Sequence, residues 1–171
     1  MSKLFVSLSL LAASVAAPIF AQQNDIKSIL LSRMKNSRDF TLKVAEAMPA
    51  SDYGFKLTPQ QMSFAGQMVH IGESFTYFLS AFSGEKPNPS KPANNSKADV
   101  IPFVKSSYDK AIDEISKLSP EQLSKSYKMG EGGSMNGTEL LIAMLEHAAH
   151  HRASAEMYLR AKDIKPPSYQ D

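Results

Sequence analysis

Four histidines occur in the chain, and three of them share one short window: His147, His150 and His151. On an α-helix, residues four apart lie one turn above each other, with Cβ atoms about 5–6 Å apart. His147 and His151 can therefore aim imidazole nitrogens at one ion held at the usual distance of about 2.0–2.1 Å. Leu140, Met144, His147, His151, Ala155 and Tyr158 recur at helical spacing, a stripe that turns the pair inward with the core. Two neutral imidazoles buried together waste hydrogen-bonding capacity, and a shared metal ion removes that cost. His150 lies roughly 100° around the helix from His151 and reads as an outer or surface residue. Arg152 reads as a residue on the rim of the pocket.

His70 falls in an earlier helical pattern, on a semi-polar seam of Ser63, Gln67, His70, Ser74 and Tyr77 that suits a helix lining a small cleft. A lone histidine there is ordinarily a satisfied core residue. The waiting His147/His151 pair makes it a candidate third ligand, since zinc commonly takes three protein ligands and keeps one position open. Other metal chemistries lack their motifs: there is no His-Glu-x-x-His, no Glu-x-x-His for a di-iron bundle site, and no Cys-x-x-Cys-His for a c-type haem. Cysteine is absent, so thiolate sites and thiol catalysis are excluded. Zinc or nickel on three histidines leads, with copper kept open by Met68 and Met144. For a general base the sequence offers only Glu73, Tyr77 and Glu146, each as readily structural.

The elements that must position these residues begin after a leader. Lys3 precedes an uncharged apolar run from Leu4 to Phe20, and Ile19-Phe20-Ala21 before Gln22 fits signal-peptidase cleavage after Ala21. The run is short and broken for a membrane anchor, which needs about 20 apolar residues. Residues 1–21 are thus expected to be a cleaved signal peptide, and 22–171 one exported, periplasmic or secreted domain. About 150 residues are enough for a single core. The formal net charge of +2 gives no basic footprint for nucleic acid.

Four long helical patterns and no strand alternation follow. The first spans from Asn24 or Asp25 to Met48, with Ile26, Leu30, Ser37, Thr41, Val44 and Met48 on one face, and Pro49 stops it. The second starts either at Thr58-Pro59-Gln60-Gln61, a capping box, or after Ser63, and buries Phe64, Met68, Ile71, Phe75, Phe78 and Phe82. Ser83 to Asn95, rich in Pro, Asn and Gly, reads as a crossover. Ser96 to Asp99 opens the third helix, which buries Ile101, Val104, Tyr108, Ile115 and Leu118; Pro102 is tolerated if Asp99 is the cap and otherwise kinks the first turns. Ser119-Pro120-Glu121-Gln122 caps a short extra helix. The run Gly130-Glu131-Gly132-Gly133 lacks the strand and the Gly-Lys-Ser/Thr ending of a phosphate loop, so its glycines make a turn. The last helix covers Gly137 to Lys162. The expected fold is all-α, a four-helix bundle.

Two stretches of this sequence resemble the DinB-like superfamily, bundle proteins that include thiol transferases and mycothiol-dependent maleylpyruvate isomerases. Met48-Pro49 through Tyr53 to Pro59, then Ser63 to Ile71, is similar to that family's passage from first to second helix. His147-Ala148-Ala149-His150-His151-Arg152-Ala153-Ser154, followed by Tyr158-Leu159-Arg160, is similar to its C-terminal motif, and Lys162-Asp163-Ile164-Lys165-Pro166-Pro167 to its ending. Ala153 and Ser154 depart from the Gly-Gln usual there. The resemblance implies a DinB-like bundle across the whole mature chain, with metal ligands at His70, His147 and His151 and His150 outside the set. It implies metal-dependent hydrolase or thiol-S-transferase chemistry on an unknown small-molecule substrate. The alternative is a non-catalytic metal- or ligand-binding protein of the cell envelope. No membrane anchor is expected after cleavage, and a homodimer is left open.

Overall fold

The computed structural model describes residues 3–128 and 133–169, with side chains from Asp25 onward. Helix α1 runs Lys3–Ala47, α2 Phe64–Ser83, α3 Lys97–Lys117, the short α4 Pro120–Ser124, and α5 Gly137–Ala161. The proposed leader and the first bundle helix are thus one continuous helix, so the start expected near Asn24 or Asp25 is corrected to Lys3: the apolar run from Leu4 to Phe20 is itself helical and joins the next segment without a break. Two three-residue strands were not expected from the sequence. β1 (Ser126–Lys128) and β2 (Ser134–Asn136) pair antiparallel, Tyr127 opposite Met135. Of the glycine-rich run, only Gly133 is among the described residues; its φ of 99° is a turn conformation that suits glycine.

The four long helices form a ring. α2 packs on α3 and α5, and α1 packs on those same two, so α5 has α1 on one side and α2 on the other. α1 and α3 are antiparallel, and lysines tie them at both ends. Lys97 Nζ donates to Glu46 O (2.6 Å) and Met48 O (2.9 Å) where Pro49 ends α1, and Lys27 Nζ donates to Leu118 O (3.0 Å) at the other end. These contacts satisfy carbonyls that a helix end leaves without a partner. α2 and α3 approach closely because residue 72 is glycine. A Cβ there would lie 2.7 Å from both Phe103 Cε1 and Ser107 Oγ.

Side-chain caps set the helix starts. Ser63, not Thr58, caps α2, its hydroxyl accepting from Gly66 N at 3.0 Å. The reason is tertiary. Phe55 O and Tyr53 O accept from Phe64 N and Ala65 N, each at 2.9 Å, so the first amides of α2 are satisfied by the folded-back loop and no earlier turn is needed. Ser96 caps α3 in place of Asp99, which puts Pro102 inside the helix. Capping boxes close the starts of α4 (Ser119 with Gln122) and α5 (Asn136 with Glu139). Most of the expected interior is buried, namely Leu30, Val44, Met48, Phe64, Met68, Ile71, Phe75, Val104, Tyr108, Ile115, Leu140, Met144 and Tyr158, whereas Ile26, Phe78, Phe82 and Ile101 are only partly buried against that core.

Candidate metal centre

α2 and α5 run antiparallel and are pinned beyond the site by Tyr158, whose hydroxyl donates to Met62 O at 2.7 Å. About two turns along α5 Gln67 faces His151, and one turn further His70 faces His147. The separation of His147 Nε2 and His70 Nε2 is 3.2 Å. The ring centroid of His151 lies 4.4 Å from that of His70 and 4.6 Å from that of His147. One ligand nitrogen from each of the three histidines falls within 4.8 Å of the others. The sequence-expected triad is therefore a spatial cluster.

Gln67 gives the cluster its polarity. His151 Nδ1 donates to Gln67 Oε1 at 2.6 Å, and the Gln67 amide nitrogen donates onward to the Tyr158 hydroxyl at 3.4 Å. With its proton held on Nδ1, neutral His151 presents the Nε2 lone pair. An orienting acceptor on the far nitrogen is the usual companion of a metal-ligating imidazole. Gln67 is buried, and the sequence placed it on the seam without assigning it this contact. The available signal was its place three residues before His70, as an amide between the apolar Ala65 and the apolar Met68.

Electrostatics favours the neutral form of His147 and His151. Burial, and after it the nearby charge of His70 and the neighbouring histidines, pushes His151 down to about 4; the same causes, burial first, lower His147. An unprotonated imidazole is the form that binds metal. The donor set is three borderline nitrogens, which suits zinc, nickel or copper. Tetrahedral ligands at about 2.0–2.1 Å from an ion stand about 3.4 Å apart, close to the 3.2 Å between His70 and His147. These residues fit a single divalent ion. His70 and His147 are half-buried, so the cluster is reachable from solvent on their side.

The other sequence candidates lie outside this cluster. His150 is exposed, its ring edge-on to His151 at 5.0 Å. Glu73 carries an ion pair with Lys91 at 3.5 Å, Tyr77 is exposed and stands edge-on to Phe78, and Glu146 is exposed. Met68 and Met144 are core residues. Arg152 corrects the rim reading: it is only 8% exposed and turns away from the histidines toward α1, where its Nη1 donates to Ser37 Oγ (2.9 Å) and Thr41 Oγ1 (3.3 Å). Successive helix residues project roughly 100° apart, which sends His151 to α2 and Arg152 to α1.

A sequence profile of the DinB family matches residues 22–169. Among curated proteins none matches. In three dimensions the chain is similar to a DinB-like protein of Bacillus subtilis, with a TM-score of 0.69, 23% identity, and coverage of 83% of this chain and 98% of that one. It is also similar to a DinB-like protein of Bacillus cereus, with a TM-score of 0.71, 15% identity, and coverage of 81% and 94%. Those likenesses establish a shared fold over nearly the whole length of both relatives, with three histidines in this chain that could hold a metal ion. By fold and by the profile match across residues 22–169, the chain belongs to the DinB family.

Proposed function

We propose that the chain is an exported metalloprotein that holds one zinc or nickel ion on His70, His147 and His151 and offers it to a small-molecule substrate in a hydrolytic or group-transfer reaction. The observation that carries this reading is the Gln67–His151 contact, which leaves His151 Nε2 unprotonated beside the nitrogens of His70 and His147. When bound, such an ion supplies Lewis acidity toward water, a thiol or a carbonyl. The chain's own part is to orient His151 through Gln67, to favour neutral His147 and His151 by burial, and to leave the His70/His147 side open.

Export rests on the leader at residues 1–21, and the family match beginning at residue 22 supports removal of that segment. Among the described residues no helix is long and apolar enough to cross a membrane. Metal analysis by mass spectrometry should find about one divalent ion per chain, and His147→Ala or His151→Ala should abolish it. Stoichiometric metal in a His70/His147/His151 triple alanine variant would sink the site.

A second reading has its own observation. Glu73, the acid nearest His70 in sequence, is engaged by Lys91, and no carboxylate belongs to the metal-ligand cluster among the described residues. A protein of the cell envelope that binds metal without turning over a substrate fits that arrangement. Metal-dependent hydrolysis of an activated ester, lost on chelation and restored by zinc, separates the two readings.

A further inference from the structure

We propose that a second cavity, on the opposite side of α5 from the histidines, binds a small carboxylic acid with an aromatic or apolar body. The cavity, about 700 Å³, lies between α1, α5 and the C-terminal segment that follows α5. Arg152 lines it and is 92% buried, since only 8% of its surface is exposed. A guanidinium keeps its charge in proteins, and burying a cation without an anion is costly.

The partners of Arg152 are all neutral. Its Nη1 donates to Ser37 and Thr41, the buried Tyr108 hydroxyl is a further hydrogen-bond partner, and its guanidinium carbon lies 4.7 Å from the centre of the Phe40 ring. Tyr108, hydrogen-bonded to the same Ser37 and Thr41 at 2.9 and 3.0 Å, adds a phenol whose titration burial pushes upward, so it contributes no anion. No carboxylate pairs with Arg152 among the described residues. The Ser37 and Thr41 bonds both leave from Nη1, so neither occupies Nε and Nη2, the fork that recognises a carboxylate edge-on.

The wall composition selects the ligand. Arg160 and Lys165 add positive charge at the same cavity, and Glu156, the one acid among its described lining residues, is 3.9 Å from Arg160. Phe40 and Tyr169 face each other edge-on at 5.8 Å, and Pro166 and Pro167 complete an apolar wall. A bare inorganic anion would use the cations and leave these rings unused. An acid with a flat apolar body uses both: carboxylate against Arg152, body between the aromatic and proline walls.

The test is calorimetric titration of the purified protein with benzoate, acetate and inorganic phosphate. Benzoate is expected to saturate one site per chain and to bind more tightly than acetate or phosphate. Arg152→Lys keeps the charge but loses the fork, and should weaken benzoate about 10- to 100-fold. Because that change also touches the α1–α5 contact, Tyr169→Ala provides a second arm at an exposed ring. It should weaken benzoate roughly 3- to 10-fold and leave acetate unchanged. The proposal is overturned if benzoate shows no saturable binding below about 10 mM, if phosphate binds more tightly than benzoate, or if folded Arg152→Lys and Tyr169→Ala both retain parental benzoate affinity.

Discussion

In a Gln67→Leu variant the Nδ1 proton of His151 loses an acceptor 2.6 Å away, in a setting where Gln67 itself is 6% exposed and water cannot readily replace it. His151 then has two poor choices. It can keep the proton on Nδ1, leaving a buried donor unpaired at a cost of about 1–3 kcal/mol. It can instead move the proton to Nε2, which removes the lone pair aimed at His70 and His147. Either choice acts against metal binding, and loss of such an orienting partner ordinarily lowers affinity about 10- to 100-fold, which is about 1.4–2.7 kcal/mol. Gln67→Glu should behave in the opposite sense, because a charged acceptor strengthens the hydrogen bond and the basicity of the ligand. The assay is zinc competition against a chromophoric chelator at pH 7.5, with circular dichroism of the metal-free variants to separate affinity from folding. A folded Gln67→Leu protein that binds zinc within about twofold of the parent, while His151→Ala does not bind, would refute the orienting role.

Three further outcomes are expected. The folded-state value of His151, about 4, lies below the value near 6.5 of an unfolded histidine. The metal-free chain should therefore hold this stability above pH 6.5 and lose it as pH falls toward 4, by on the order of 3 kcal/mol; urea midpoints that stay constant from pH 7 to pH 4.5 would count against it. Gly72→Ala places a methyl 2.7 Å from Phe103 and Ser107 and should cost about 1–3 kcal/mol by overpacking, read as a lower urea midpoint with unchanged slope. Asn136→Ala removes the side chain that accepts from Glu139 N at 3.0 Å at the start of α5. It should cost about 1 kcal/mol without displacing His147 and His151, which lie three and four turns further on, so thermal stability should fall while zinc stoichiometry stays at the parental level.

What the sequence made legible divides by the range of the interaction. The buried stripes of α1, α2, α3 and α5 follow from local periodicity, and so does the inward turn of His147 and His151. The start of α2 was ambiguous between Thr58 and Ser63 because both carry a legitimate cap. The choice depends on Tyr53 and Phe55 carbonyls folding back onto Phe64 and Ala65, and Tyr53 is itself anchored by its hydroxyl on Ala45 O at 2.7 Å. No local rule contains that information. The strands at 126–128 and 134–136 are too short to show alternation. Arg152 was misplaced for a related reason: a charge beside a histidine pair suggests a pocket mouth, whereas its partners Ser37 and Thr41 stand more than a hundred residues earlier.

Ser37 and Thr41 are the polar members of the buried face of α1 that the sequence periodicity outlines. They are buried because α5 delivers a cation to them, and the same helix, one residue earlier, delivers an imidazole to Gln67 on α2. The position of α5 between α1 and α2 makes these two polar contacts complementary. The two contacts hold α5 on both of its flanks, at 2.6 Å to α2 and 2.9 Å to α1. Ser37, Thr41, Gln67, His151 and Arg152 thus have partners across helix–helix seams, whereas Ser74 is satisfied within α2 by Ile71 O. The two buried polar residues of α1 mark the seam with α5 as surely as Gln67 and His70 mark the seam on the other side.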